Sequence, residues 1–253
     1  MSTQYDKAIS LHALHTPATP LVLYNIWDAG GAIALQAEDA PAVATSSWSM
    51  ATAHGCQDGQ ILPLPFVLQI VAHIAAAIQC PLSVDFEGGY AELPEQLAGN
   101  AALLLAAGAA GINFEDQLVA GSGLYPAAEQ AERIRAIRAT ADQAGIPLFI
   151  NARTDLFLQQ PERHASVLDQ ALARLEVYAE AGADGFFVPG LSDPTLIAEL
   201  CRLARLPINV MTSEACSKPR HFADLGVARI SHGPAPYLQA MADLKLRWSA
   251  QAA

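Results

Sequence analysis

The chain has 253 residues, 52% hydrophobic and 15% charged, so it can bury a large core and lacks the composition of a disordered chain. Its 14 lysines and arginines against 25 acids give a formal charge of −11. That balance argues against nucleic acid or an anionic membrane as partner and leaves small anionic molecules open wherever a local cation offsets the field.

Eight short β-branched or aromatic runs alternate with longer Ala-, Leu- and Glu-rich segments. In chain order they read LVLYNIWD (21–28), AVATSS (42–47), LSVDFEG (82–88), GINFED (111–116), PLFINARTD (147–155), GFFVPG (185–190), PINVMT (207–212) and ARISHG (228–233). The segments between them carry helical spacing: in AEQAERIRAIRATADQAG, Ile134, Ile137 and Ala141 recur on one face, with Gly145 at the C-cap. AGAAG before the fourth run and AGADG before the sixth repeat one design, a helix ending at glycine and turning into a strand. Eight such units in one domain spanning 1–253 predict an α/β fold, the (β/α)8 TIM barrel. An open doubly wound sheet binding a dinucleotide would want a GxGxxG turn, and WDAGGAIAL lacks the third glycine. The last segment, PYLQAMADLKLRWSAQAA, is a predicted helix whose apolar face of Leu238, Met241, Leu244 and Trp248 must cover its own barrel or a neighbour's.

No basic segment followed by an apolar core opens the chain, and AALLLAAGAAGI is too short and too broken by glycine to span a bilayer. Cys56, Cys80, Cys201 and Cys216 form no CxxC pair. A cytoplasmic protein with no membrane association is expected.

Polar residues that a core would not choose gather at the predicted C-terminal ends of the strands, which a barrel makes neighbours. They are Asp28, Ser46, Ser47, Asp85, Glu87, Glu115, Asp116, Arg153 and Asp155, with Asp58 in the loop after the second strand. Asp85 and Glu87 are two apart, share a strand face and repel unless something positive lies between them. Several oxygens with no His/Cys ligand spacing suit Mg²⁺ better than zinc. Arg153 could fork onto a carboxylate or phosphonate, and Ser46 and Ser47 could hold the substrate's other end or simply cap the next helix. Asp28 and Asp116 are read as a helix cap or an arginine partner, Glu115 and Arg153 as a functional pair or a buried ion pair. His54 and His232 are read as hydrogen-bonded or surface residues, and Gly88 and Gly89 as a tight turn.

NIWDAGGAIAL, ATSSWS, SVDFEGGY, GINFEDQ, NARTD and AGADGFFVPGL together make the chain resemble the isocitrate lyase and phosphoenolpyruvate mutase superfamily over nearly its whole length. The resemblance implies a Mg²⁺-dependent barrel that binds a small 2-oxo or 2-hydroxy carboxylate and cleaves or forms a C–C or P–C bond through a metal-stabilised enolate. It also implies a tetramer, a dimer of dimers, with the last helix exchanged between subunits. Residue by residue, it implies Asp85 as the main metal ligand, with Asp58, Glu87 and Glu115 holding metal-bound waters. Ser46, Ser47 and the Trp48 backbone would take the substrate carboxylate, Arg153 its oxygens, and Tyr90 would orient the oxo or hydroxyl group. Glu87 stands where the mutase-like pattern has Asp, and Pro189 where it has His. The loop QLVAGSGLYPAAEQAE lacks the lyases' Lys-Cys-Gly-His signature, leaving Tyr125 as its only candidate proton donor. A Schiff-base aldolase would need a strand-end lysine, and Lys7, Lys218 and Lys245 lie on no predicted strand. The remaining rival is a barrel that binds metal and carboxylate without turnover.

Overall fold

A computed structural model describes residues 2–17, 19–118, 121–212 and 219–252. All eight predicted runs form strands: β1 Leu21–Leu23, β2 Val43–Ala44, β3 Leu82–Asp85, β4 Gly111–Glu115, β5 Phe149–Arg153, β6 Gly185–Phe187, β7 Ile208–Met211 and β8 Arg229–Ser231. The helices are α1 Gln4–Ala13, α2 Ala29–Ala37, α3 Ser47–Ala53, α4 Leu64–Ala77, α5 Pro94–Ala106, α6 Ala127–Gln143, α7 Leu156–Gln159, α8 His164–Glu180, α9 Pro194–Leu203, α10 Pro219–Asp224 and α11 Ala235–Ala252. Every strand pair is parallel, in the order β1-β8-β7-β6-β5-β4-β3-β2. A parallel bridge between Ile26 and Thr45 joins β1 to β2 and closes the ring, giving the expected (β/α)8 barrel.

The strands are shorter than their apolar runs because the flanking polar residues leave the ladder for other partners. Ser46 ends β2 by capping α3, its Oγ accepting from Ser49 N at 3.2 Å. Asp28 ends the first run by capping α2, accepting from Gly31 N at 2.7 Å, so its structural reading holds.

Strand alternation divides the core. Val84, Ile112, Phe114, Ile150, Phe186, Val210 and Ile230 face outward and pack with the helices, among them Ile134, Ile137 and Ala141 of α6, in one continuous cluster. Burying each such side chain is worth roughly 1.5–3 kcal/mol. Inside the barrel, a lower apolar layer of Leu21, Leu23, Ala42, Ala44 and Phe149 is plugged by Ala8 and Leu11 of α1. A Thr3–Asp6 capping box starts that helix.

The layer above it is polar, unlike the Val/Ile/Leu filling usual in such barrels. Asn151 donates to Asn113 Oδ1 and Asn209 Oδ1, each at 2.9 Å, and Arg229 donates to Asn113 Oδ1 at 3.0 Å and Ser83 Oγ at 3.2 Å. Arg229 is fully buried, its Nε and Nη1 are without hydrogen-bond partners, and burial pushes its guanidinium down to about 9. No helix among the described residues is long and apolar enough to cross a membrane.

Candidate active site

A cavity of 220 Å³ opens at the C-terminal ends of the strands, where barrels of this architecture carry their functional groups. Ser46, Ser47, Trp48, Asp58, Asp85 and Arg153 line one part of it.

Asp85 ends β3 and faces inward. Its Oδ2 accepts from Ser47 N at 3.1 Å and Ser47 Oγ at 2.8 Å, while its Oδ1 is buried with no hydrogen-bond partner. Of the hydroxyls expected to meet substrate, that of Ser47 donates to Asp85, whereas Ser46 Oγ accepts at the cap of α3; both residues line the cavity. Asp58 stands at the exposed rim, where desolvation by the surrounding chain, and then the charge of Asp85, raise its pKa.

Glu87 and Tyr90 sit beside the main cavity and line a small recess that also touches Ser47 and Asp85. Glu87 Oε1 accepts from Tyr90 OH at 2.9 Å and Oε2 from Gln60 N at 2.7 Å. Burial, followed by the charges of Asp58 and Asp85, pushes the Glu87 carboxyl up to about 7. Tyr90 therefore holds Glu87 and does not line the main cavity. The turn between them is tight: Gly89 has φ +77°, and Glu87 and Tyr90 are themselves left-handed at φ 50° and 58°. Arg133 of α6, buried under this turn, holds it by donating to Gly88 O at 2.6 Å and Ala91 O at 2.9 Å.

Arg153 ends β5 opposite Glu115 in the β4 register. Its Nε and Nη2 donate to Asp155 at 2.6 and 2.9 Å, and its Nη1 lies 2.9 Å from Glu115 Oε2. Asp155 thus closes the fork expected to meet a substrate carboxylate, and a ligand can reach only what is left of the Nη1/Nη2 end. Burial raises the Glu115 carboxyl, and Arg153 pulls it back. Glu115 does not line the cavity.

Asp116 belongs to the scaffold. Fully buried, it accepts from Asp155 N at 3.0 Å, Arg174 Nη1 at 3.0 Å and Tyr178 OH at 2.8 Å. The expectation for Tyr125 fails: its ring lies under Arg133, 4.2 Å from the guanidinium carbon, and does not line the cavity. His54 Nδ1 lies 2.8 Å from Met50 O and takes its structural reading, while the buried His232 ring packs against Tyr24 with centroids 5.2 Å apart. Lys7 donates to Ile78 O, and Lys245 is on α11. Cys216, Lys218, and Val119 and Ala120 of the loop after β4 lie outside the described residues.

Among the described residues no three acids, cysteines or histidines come close enough to grip an ion directly. Mg²⁺ asks for less, one or two carboxylates with the remaining positions filled by water and substrate. The bare Oδ1 of Asp85, with Asp58 on the same cavity wall and Glu87 close enough to feel both charges, fits that demand.

The sequence profile of the family described as phosphoenolpyruvate phosphomutase matches residues 11–251, nearly the whole chain. The chain belongs to that family. A phosphoenolpyruvate phosphomutase of Streptomyces hygroscopicus is 31% identical over 70% of this chain and 56% of its own length. A 2-methylisocitrate lyase of Escherichia coli is 28% identical over 85% of this chain and 73% of its own. The solved structure of a candidate phosphonomutase from Burkholderia cenocepacia superposes with a TM-score of 0.94 at 44% identity, covering 96% of this chain and 99% of that one.

Further residues line the cavity of this phosphomutase-family member that the strand-end reading passed over. Asn25 does so from just after β1, Asn113 and Ser231 from β4 and β8, and Leu158, Phe187, Pro189, Met211 and Pro234 form the other side. The legible signal was Asn113 in GINFED, a polar residue in inward register two before Glu115.

Proposed function

We propose that this chain is a Mg²⁺-dependent lyase or mutase that acts on a small 2-oxo or 2-hydroxy carboxylate and cleaves or forms a C–C or P–C bond. The observation that carries the reading is the asymmetry of Asp85: Ser47 fixes one oxygen, and the other is buried and unsatisfied beside the cavity. An unpaired buried carboxylate oxygen is costly unless a cation completes it. In this reading Asp85 is the direct ligand, and Asp58, Glu87 and Glu115 hold the ion's waters. When bound, the ion supplies positive charge next to the atoms where negative charge develops as the bond breaks.

The chain's own residues then divide the remaining work. Ser47 orients Asp85, while Tyr90 and Gln60 orient Glu87. Asp155 and Glu115 fix the Arg153 guanidinium so that its remaining N–H groups meet the substrate oxygens without further ordering. Ser46 and Trp48 bring the start of α3 to the substrate carboxylate. We assign the working form to a cytoplasmic homo-oligomer, a tetramer in which α11 is exchanged, because Leu244 and Trp248 are 61% and 71% exposed on the isolated chain.

An activity screen on oxaloacetate, phosphonopyruvate, substituted malates and short-chain 2-oxo and 2-hydroxy monocarboxylic acids tests the reading: turnover should be abolished by EDTA and by Asp85→Ala. The second reading, a barrel that binds without turnover, draws on the burial of Tyr125 and on a β4–α6 loop whose sequence has no Lys, Cys or His. Metal-dependent ligand binding with no turnover of any compound in the screen would favour it.

A further inference from the structure

The two halves of the cavity differ in kind. In the closed ring, β6 and β7 stand across from β2 and β3. The β2–β5 half carries Asp58, Asp85 and Arg153; the opposite wall is Phe187 of β6, Pro189 just after it, Met211 of β7, Leu158 of α7 and Pro234 before α11.

No charged side chain of that wall is found among the described lining residues. The one cation among the described lining residues, Arg153, already answers to Asp155 and Glu115. The side-chain oxygens of Asn25, Asn113 and Ser231 are also engaged. Asn25 Oδ1 accepts from His232 N and Gly233 N, Asn113 Oδ1 from Asn151 and Arg229, and Ser231 Oγ bonds Asn209. Arg229 lies a layer below and does not line the cavity. A second carboxylate or a phosphonate placed against this wall would be desolvated with no counter-charge among the described residues, which is strongly unfavourable, whereas a hydrocarbon group would gain by leaving water. The cavity, at 220 Å³, suits a small molecule, so the substituent is short.

Resting on the carboxylate-and-metal reading above, we infer that the substrate carries a single anionic head and a short apolar substituent, seated on Leu158, Phe187, Pro189, Met211 and Pro234. Of the two bond types that reading allows, this selects C–C over P–C, because the described residues of the apolar side offer a phosphonate no counter-charge.

Binding to the full-length protein in excess Mg²⁺, followed calorimetrically, tests the inference with oxalate, pyruvate, 2-oxobutyrate, 2-oxopentanoate and oxaloacetate as probes. Affinity should rise about fourfold per methylene from pyruvate to 2-oxopentanoate, the value of burying one CH₂, and oxaloacetate should bind more weakly than 2-oxobutyrate. Leu158 is 43% exposed, so Leu158→Arg should fold, and it should shift the oxaloacetate-to-2-oxopentanoate affinity ratio at least tenfold toward oxaloacetate. Oxalate binding combined with a wild-type preference for oxaloacetate, or with no gain along the alkyl series, would overturn this inference and leave the carboxylate site standing. Failure of oxalate and every oxo acid to bind would remove both.

Discussion

Asp116 is the buried group on which the geometry of Arg153 depends, and its removal has a calculable cost. Asp116→Ala takes the carboxylate from the Asp155 N–H, Arg174 and Tyr178 OH, and leaves the Arg174 guanidinium buried at 8% side-chain exposure without its acid. Breaking a buried pair by removing one partner costs about 3–5 kcal/mol. For a chain of this length each kcal/mol lowers Tm by roughly 2–4 °C, so the expected drop is about 6–20 °C. Urea unfolding should report the same loss as a lower midpoint at unchanged m. Replacing both partners, Asp116→Ala with Arg174→Met, should recover much of the loss, since the stranded charge goes too. A single variant within about 1 kcal/mol of wild type would refute the reasoning, because Arg174 would then have another counter-charge or water.

Three further outcomes follow from the same structure. With the Glu87 carboxyl at about 7 in the fold and near 4.5 when unfolded, the folded state binds more protons between those values. The metal-free protein should therefore lose up to about 3 kcal/mol as pH rises across that window, and Glu87→Gln should flatten the slope in urea titrations at several pH values; an unchanged slope would contradict the assignment. Gly89 and Gly55 both have positive φ, but a Cβ at Gly89 would sit 2.2 Å from Leu97 Cδ1 whereas Gly55 faces open space. Gly89→Ala should accordingly cost about 1–3 kcal/mol more than Gly55→Ala, and equal losses would count against the packing of this turn. Leu244→Glu with Trp248→Glu should convert the oligomer to a monomer by light scattering, and a wild type already monomeric at micromolar concentration would rule out the α11 interface.

The fold was legible because strand and helix periodicities alternate eight times, and the gathering of polar groups at one barrel mouth followed from the ends of those strands. What escaped the sequence was pairing. Arg153 and Asp155 both stand at the end of one predicted strand, but only the bent chain after β5 shows Asp155 folding back to close the guanidinium fork. Ser47 could be read as cap or ligand, and the outcome, a bond to Asp85, needs β3 placed beside the start of α3. Tyr125 looked free in a Gly-rich loop because nothing local announces that Arg133, eight residues on, will cover its ring. The polar layer around Arg229 was hidden for the opposite reason, since a single Asn or Arg within a short apolar strand leaves the hydrophobic pattern nearly intact.

The most direct test of the metal site is Mg²⁺ titration of the metal-stripped protein by calorimetry, wild type beside Asp85→Asn, which preserves the side chain's shape and removes its charge. The expected result is one Mg²⁺ per chain in the wild type and binding at least tenfold weaker in the folded variant. Equal affinity in the two proteins, or no binding by the wild type, would contradict the assignment of Asp85 as the ligand.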